Sequence, residues 1–485
     1  MRSLASTYIR AIALVATSAF ALASGFAQTT ERSTEADQKQ VSVTVYNSNL
    51  ALVRDVRALN LSAGTIDLRF EDIAAQVNPA TVHIVSLTAP KELTVLEQNY
   101  EYDLLSPEKL LNKYVGKEVT LVRLRTENNS TREEDVKATL LANNEGGPVW
   151  QVGNQIVTGM ASDRLIFPDL PANLYSKPTL VWLLDNGHGG QQTVEASYLT
   201  NAMNWSADYV LTVTSDEKTG DLNGWVTVEN SSGTAYRNAQ LQLVAGAVHQ
   251  VTAALVPRPM KAMARVAEAA PQPQFAQEAL SEYHLYTLSR PTTIANNETK
   301  QISLLFAPGI HIEKHFEVDG NTYYYQSALR PGEPIKDPVQ VRLKFKNSAA
   351  NSLGMPLPAG TVRVYQADSK GRVQFIGEDH IEHTPKDETL DLHIGNAFDV
   401  VEERKQTDFQ TLGQHAFEMA FEITLRNHKP EPIVVEVNEP IGGDWTMEES
   451  TFKYEKTGAF AARFSVPVEA NGEAVLKYRV RVRFP

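Results

Sequence analysis

The sequence predicts an all-β protein made of several antiparallel β-sandwich modules of immunoglobulin-like type, with a small barrel insertion and one short helix. Apolar and polar residues alternate with a period of two, most clearly in three runs within residues 198–246. Turns rich in Asn, Asp and Gly separate these runs. Three runs also end alike, at Asn230, Asn347 and Asn427, and another strand follows each. This recurrence favours repeated sandwich modules, although it is also typical of strand ends in general.

The first 27 residues have the pattern of a secretory signal. Arg2 and Arg10 supply positive charge, residues 11–22 are apolar and small, and the residues around Ala27 predict cleavage after it. The apolar run is shorter than the roughly 20 residues that cross a bilayer comfortably, and no second candidate follows. We therefore expect a mature chain without a transmembrane segment, located in the periplasm or outside the cell.

The composition restricts the classes of partner. The 485-residue chain has 58 acidic and 45 basic residues, a formal net charge of −13 and no cysteine. Nucleic acids bind clustered Lys and Arg, so an acidic chain predicts no nucleic-acid partner. Without cysteine there is no disulfide and no thiol nucleophile, so stability has to come from burial and hydrogen bonds. The length exceeds the roughly 250–300 residues of a single core and predicts several domains.

The mature chain is predicted to hold four modules in order. Ser106-Pro107-Glu108 has the capping residue, the proline and the acidic first turn that open a helix. Short alternating runs after this helix predict a barrel of SH3 or Sm-like type. The predicted boundaries are 1–27 for the signal, 28–40 for a disordered tail, 41–102 for an N-terminal β module, 103–170 for the small barrel-like module, 171–330 for a β-sandwich with a mobile Pro-rich loop at 253–279, and 331–485 for a C-terminal β-sandwich.

The final strand carries Arg479, Arg481 and Arg483 on one face and apolar residues on the other. Alternate residues of a strand point to opposite faces, so the three guanidinium groups share one side. We expect them to lie on a solvated face or to pair with nearby carboxylates.

Asp379 and His383 are the first candidate site. If the segment around them forms a strand with Ile381 buried, both side chains share the inward face. A buried Asp–His pair needs mutual hydrogen bonding, and it could serve as a general base or as a metal ligand with its supporting carboxylate. A structural hydrogen-bonded corner explains the pattern as well, since no nucleophile or third ligand is visible.

His311, Glu313 and His315 are the second candidate, because they occupy alternate positions of a predicted strand. Side chains in this spacing can bind zinc, which takes about four ligands in a tetrahedral arrangement. Three polar side chains on a solvated face explain the spacing equally well. The sequence therefore indicates no defined metal site and no cofactor.

Several motifs resemble a known family. These are NWSADYV at 204–210, GWVTVEN at 224–230, LVAG at 243–246, and the stretch from Gly377 to Val400 followed by Arg404. The chain resembles bacterial domain-of-unknown-function family 4139, some members of which are called mucoidy-inhibitor-like proteins. The resemblance implies an exported all-β protein with no assigned reaction, cofactor or catalytic residue. Longer relatives carry a coiled coil where this chain has a short helix and short strands.

These observations favour an exported cell-envelope protein that is a non-catalytic binding or structural module for a protein or polysaccharide partner. The alternative is a hydrolase acting on envelope glycans or peptides, centred on Asp379 and His383. The missing catalytic set favours the first hypothesis.

Overall fold

The computed structural model describes residues 29–101, 105–127, 130–144, 146–159, 164–169, 171, 175, 177–246, 248, 274–330 and 333–484. These residues are mostly strands, which confirms the predicted all-β class, while the sandwich and immunoglobulin-like details stay predictions. The predicted signal and residues 253–273 of the predicted loop lie outside the described residues.

The strands of the first half are β1 (Thr29–Ser33), β2 (Gln38–Tyr46), β3 (Leu50–Leu61), β4 (Gly64–Glu71), β5 (His83–Ser86), β6 (Leu93–Glu101), β7 (Glu118–Glu127), β8 (Ser130–Asn144), β9 (Gly147–Val152), β10 (Gln155–Thr158), β11 (Arg164–Ile166), β12 (Thr179–Asn186), β13 (Gly190–Asn201), β14 (Met203–Val213), β15 (Thr219–Asn230) and β16 (Tyr236–Ala245). The strands of the second half are β17 (Phe275–Leu280), β18 (Tyr283–Leu288), β19 (Thr292–Ile294), β20 (Glu298–His311), β21 (Glu313–Asp319), β22 (Gln340–Lys346), β23 (Gly360–Ala367), β24 (Val373–Ile381), β25 (Thr389–Asn396), β26 (Val400–Gly413), β27 (Ala416–Asn427), β28 (Ile433–Glu439), β29 (Asp444–Ser450), β30 (Tyr454–Gly458), β31 (Ala461–Val468) and β32 (Gly472–Arg483). The helices within the described residues are α1 (Pro107–Lys113) and four 3₁₀ turns at Glu35–Asp37, Pro79–Thr81, Thr322–Tyr325 and Ala349–Asn351.

The described chain forms two compact units that alternate along the sequence. Unit 1 contains the described parts of 29–37, 58–71 and 85–194, and unit 2 contains those of 38–57, 72–84 and 195–484. The predicted module boundaries stay predictions, because each unit is assembled from separate segments.

Two predicted irregular segments contain strands. Residues 29–40, predicted as a disordered tail, form β1, a 3₁₀ turn and the start of β2. β1 pairs in parallel with β4, from Thr29 opposite Ile66 to Ser33 opposite Phe70. Backbone pairing with a distant segment holds this strand in place. Its own sequence is polar, so it lacks the apolar alternation from which a strand is predicted. The last residues of the predicted loop lie in β17.

Unit 1 contains two sheets and the predicted helix. Strands β1, β4, β12 and β6 form one sheet in that order, and β10, β9, β8, β7 and β11 form the other. The second order leaves β10 and β11 at opposite edges, so no closed barrel is formed among the described residues. The Ser106 hydroxyl accepts the Lys109 N–H at 3.2 Å and caps α1, as predicted. No helix of the described residues has the length and apolar character that crossing a membrane requires.

Unit 2 contains the central three strands that the alternation predicted, now β14, β15 and β16. Strands β20, β15, β14, β23 and β24 form one sheet, β25, β22, β21, β28, β31 and β30 a second, and β26, β27, β32 and β29 a third. Within unit 2, β14 pairs with β23, β16 with β2, and β21 with β28 in parallel, where antiparallel pairing was predicted. These partners are far apart in the sequence, and local periodicity says nothing about their direction.

The second and third of these sheets share one hydrophobic cluster. Phe316 and Val437 come from the six-stranded sheet, and Phe421 and Tyr478 come from the four-stranded sheet. All four are buried. On the last strand, Arg479 lies 2.7 Å from Asp408, and Arg481 lies 2.9 Å from Glu418. The expected pairing with carboxylates is therefore confirmed for Arg479 and Arg481.

The three recurring asparagines have the same structural role. Each is completely buried and lies at or one residue beyond the end of a strand. Asn230 donates to the carbonyls of Thr234 and Ala295, both at 2.9 Å, and accepts the Ser232 N–H at 3.1 Å. The amide therefore ties the turn after its own strand to a second loop. A side chain with both donors and an acceptor is needed for this pattern.

Asn347 and Asn427 repeat these bonds. Asn347 donates to the carbonyls of Met355 and Pro385 and accepts the Gly354 N–H. Asn427 donates to the backbone carbonyls of Glu431 at 2.9 Å and Glu469 at 3.0 Å, and it accepts the Lys429 N–H. In unit 1, Asn186 at the end of β12 makes a similar set with Ser62, His188 and Gln192, a case that the sequence pattern did not single out.

We predict that Asn427→Ala lowers the free energy of unfolding by about 2–3 kcal/mol, because it leaves two carbonyls and one N–H without their partner. Urea denaturation followed by circular dichroism measures the change. Asn396→Ala is the matched control, since Asn396 is an exposed strand-end asparagine, and it should change stability by less than about 0.5 kcal/mol. Equal effects of the two substitutions would contradict the role given to the buried amide.

Candidate functional site

Asp379 and His383 are not hydrogen-bonded to each other among the described contacts. Ile381 is buried, which was the condition for this candidate, but β24 ends there, so His383 lies beyond the strand. The Asp379 carboxylate accepts the N–H groups of His380 at 2.8 Å and His393 at 2.7 Å. This carboxylate therefore binds backbone donors and connects β24 to β25.

His383 also has a backbone partner. Its Nδ1 accepts the Ala359 N–H at 3.1 Å, which places the proton of the neutral ring on Nε2. Burial lowers the pKa of the His383 imidazole, so the ring is neutral at pH 7. The geometry fits the structural corner that the sequence left open, and the hydrolase alternative stays a prediction.

The predicted His311–Glu313–His315 set does not occupy one strand. β20 ends at His311 and β21 begins at Glu313, with buried Ile312 between them. His311 and Glu313 are exposed, whereas His315 is half-buried. His315 Nε2 lies 3.6 Å from Glu313 Oε2, so only part of the predicted set is brought together.

The structure groups His315 with two other carboxylates, Glu317 and Glu436. One donor atom from each of these residues lies within 4.8 Å of the others. Glu317 and Glu436 are opposite each other in the parallel pair of β21 and β28. Sequence spacing could not reveal this set, because the two strands are distant in the chain.

Cations already surround these carboxylates. Lys344 Nζ lies 2.6 Å from Glu317 Oε1, and Arg463 Nη1 lies 3.7 Å from Glu436 Oε2. Arg342 Nε is a third cation, 3.9 Å from Glu317 Oε2. A metal ion at this position would compete with these positive charges, so the arrangement fits an ion-pair network better than a metal centre.

The most unusual polar cluster lies at the end of the hydrophobic cluster shared by the two C-terminal sheets. Arg404 and Glu439 are fully inaccessible, and Arg404 Nη1 lies 2.6 Å from Glu439 Oε1. The Tyr325 hydroxyl donates to Glu439 and lies 2.9 Å from the Tyr478 hydroxyl. The guanidinium carbon lies 5.0 Å from the centre of the Tyr324 ring. Hydrogen bonds and a cation–π contact thus accompany this buried ion pair.

Two further carboxylates face the same guanidinium at longer range. Arg404 Nε lies 3.5 Å from Glu402 Oε1 and 3.6 Å from Asp337 Oδ2. The Asp337 N–H donates to Glu402 Oε2 at 2.9 Å, and the Tyr324 hydroxyl donates to the Asp337 carboxylate at 2.9 Å. We call Asp337, Glu402, Arg404 and Glu439 the buried charge cluster. It contains three carboxylates and one guanidinium.

Burial raises the pKa of the Glu402 carboxyl to about 7, and the Arg404 guanidinium opposes this shift. The Glu402 Oε1 atom is buried and has no hydrogen-bond partner among the described residues. Burial also raises the pKa of the Tyr325 and Tyr478 hydroxyls, so both remain protonated donors at neutral pH. Sequence reasoning missed this cluster because charged residues in alternating strands are expected on the solvated face.

The described residues therefore define an all-β protein whose candidate site residues form ion pairs and backbone hydrogen bonds. The chain belongs to the family described as "Domain of unknown function (DUF4139)", whose model matches residues 194–485. No curated protein matches the chain. Arg404 lies within the matched segment. It was one of the residues on which the resemblance was based, and the sequence assigned it no role.

We predict that Arg404→Met lowers the free energy of unfolding by about 3–5 kcal/mol, because three carboxylates lose their common cation inside the protein. Chemical denaturation at pH 7 measures the effect. Arg426→Met is the matched control: Arg426 pairs with Glu403, but its side chain is 30% exposed, and its loss should cost about 1 kcal/mol or less. An Arg404 effect as small as that of the control would show that the buried charge cluster does not hold the fold.

Proposed function

We propose that this protein is an exported cell-envelope protein that binds a protein partner and catalyses no reaction. The observation that carries the proposal is Phe398, which lies in the turn between β25 and β26 with 95% of its surface exposed. Leaving a phenylalanine side chain in water forgoes about 1.5–3 kcal/mol of favourable burial. An apolar surface on a partner would recover this free energy.

Two more exposed apolar side chains, Val373 and Phe375, lie on β24, the edge strand of its sheet. Their exposed fractions are 57% and 55%. Gly377 of β24 lies against the carbonyl of Ile394 in β25, and the Asp379 carboxylate, two residues further along β24, accepts the N–H of His393, one residue earlier in β25. The two strands therefore run in opposite directions here. Val373 therefore lies toward the end of β25 that leads to Phe398.

This group of Val373, Phe375 and Phe398 favours a protein over a polysaccharide. Valine and phenylalanine offer no hydrogen-bonding group, whereas sugar hydroxyls lose free energy when they are buried without polar partners. Aromatic side chains are enriched at the centres of protein interfaces. The apolar character of the group is therefore the support for a protein partner.

We predict that the chain recovered from a bacterial envelope fraction begins at Gln28, because the signal formed by residues 1–27 is removed on export. Intact-mass measurement gives the N-terminus. Leu14→Arg interrupts the apolar run and should leave the full-length chain in the cytoplasm, whereas Leu14→Ile should be exported normally. A full-length chain in the envelope fraction, or equal export of both variants, would refute the predicted signal.

We predict that Phe398→Ser weakens capture of the envelope partner by about 30-fold, the loss of roughly 2 kcal/mol expected for a central aromatic anchor. The folded stability should change by less than about 0.5 kcal/mol, because the side chain is already exposed. The measurement is quantitative pull-down from solubilised envelope with the purified mature chain. Phe460→Ser is the matched control, since Phe460 is 60% exposed in a different turn. Equal capture by wild type and both variants would remove the proposed surface.

A further inference from the structure

The three carboxylates of the buried charge cluster do not share the single cation, Arg404, equally. Arg404 makes its short contact with Glu439, at 2.6 Å, and lies 3.5 Å or more from Glu402 and Asp337. Asp337 is 19% exposed and accepts the Tyr324 hydroxyl, so its carboxylate has a hydrogen-bond donor and some contact with solvent. Glu402 is fully inaccessible and has one backbone donor on Oε2. Glu402 is therefore the member of the cluster for which a bound proton is most favourable.

The segment 335–339, which we call the latch, is attached to β26 through this cluster. Ile335 and Arg404 exchange two backbone hydrogen bonds, of 2.9 Å and 2.8 Å. The Asp337 N–H then binds the Glu402 carboxyl. On the outer side, Lys336 lies 3.1 Å from Glu403. The pairing with β26 is a single bridge, whereas the far end of the latch is anchored, because Val339 is buried and its carbonyl accepts the Ala397 N–H at 2.7 Å. The part of the latch that opens is therefore Ile335 to Asp337, which has few backbone bonds to lose.

We propose that the latch is a pH-sensitive element, closed on β26 when Glu402 carries a proton and opened when Glu402 ionises. Ionised Glu402 would face the carboxylates of Asp337 and Glu439 in a dry environment. Moving the latch away removes the Asp337 carboxylate and admits water to Glu402. Opening therefore lowers both the repulsion between the carboxylates and the cost of burying an ionised Glu402. Proton binding and latch closure are thus thermodynamically linked.

The groups that face Glu402 set the direction of this effect. They are Arg404 on β26, Asp337 on the latch and Glu439 at the end of β28. Behind them, Tyr324 bonds to Asp337, Tyr325 bonds to Glu439, and the hydroxyls of Tyr325 and Tyr478 bond to each other. Closed burial raises the pKa of Glu402 from the ordinary 4.5 to about 7, and opening restores the ordinary value. Closure is therefore fully favoured below about pH 4.5, and this preference is lost as the pH rises through about 7.

Hydrogen exchange of the mature chain, corrected for the intrinsic base-catalysed rate, tests the proposal. Protection of the Ile335 and Asp337 amides, which bond to Arg404 and Glu402, should fall about tenfold between pH 6 and pH 8, as linkage gives for these two pKa values. Glu402→Gln keeps an acceptor for the Asp337 N–H and cannot ionise, so its protection should be equal at both pH values. Glu422→Gln is the matched control, because Glu422 pairs with Lys477 on the neighbouring strands, and it should retain the wild-type fall.

Wild-type protection that is independent of pH would overturn the proposal, as would a tenfold fall that persists in Glu402→Gln. If that variant does not fold, Asp337→Asn provides the second test. Removing the neighbouring negative charge should move the midpoint of the wild-type fall to lower pH. An unchanged midpoint would contradict the coupling between latch and cluster.

Discussion

The buried contact between Arg404 and Glu439 connects the two C-terminal sheets at the end of their shared core. Arg404 belongs to β26 in the four-stranded sheet, and Glu439 ends β28 in the six-stranded sheet. Removing both ions from water costs several kcal/mol each, so the contact is tolerable only at short range and with further hydrogen bonds. The 2.6 Å separation and the hydroxyl of Tyr325 meet both requirements for Glu439. Nε and Nη2 of Arg404 are buried without a hydrogen-bond partner among the described residues, so the guanidinium depends on the short contact and on the charges of the carboxylates around it. Both strands must therefore be in place before the ion pair can form.

Apolar packing and this polar contact depend on each other. Phe421 lies 5.5 Å from the ring of Tyr325 and 5.3 Å from that of Tyr478, so the rings that carry the buried hydroxyls are also part of the core. Tyrosine suits these positions because its ring is buried among apolar neighbours while its hydroxyl reaches a polar partner. Packing fixes the hydroxyls, and the fixed hydroxyls in turn satisfy Glu439. The chain has no cysteine, so this combination holds the two sheets together at a place where a disulfide-bonded protein could use a covalent cross-link.

The sequence predicted the local elements well and the long-range pairings poorly. Alternation located β14, β15 and β16, and Ser106 located α1, because these signals lie within a few consecutive residues. The parallel pairing of β14 with β23 joins Ala207 to Gly360, and no local pattern contains that information. The same limit hid the buried charge cluster, since Arg404 and Glu439 are separated along the chain and meet only when two sheets pack. Asn230 was recognisable as a repeated strand ending, but the hydrogen bonds of its buried amide were not.

The motif residues divide into two groups once their surroundings are known. Asn230, Asp379 and His383 bind backbone groups, so the need to satisfy the fold explains why these residue types occur there. Arg404 is explained in the same way by the carboxylates around it. Phe398 differs, because a side chain that is 95% exposed contributes almost no burial to its own fold. The partner surface proposed above would give this side chain the burial that its own fold does not provide, so Phe398 is the residue at which the proposed binding role can be tested separately from the stability of the fold.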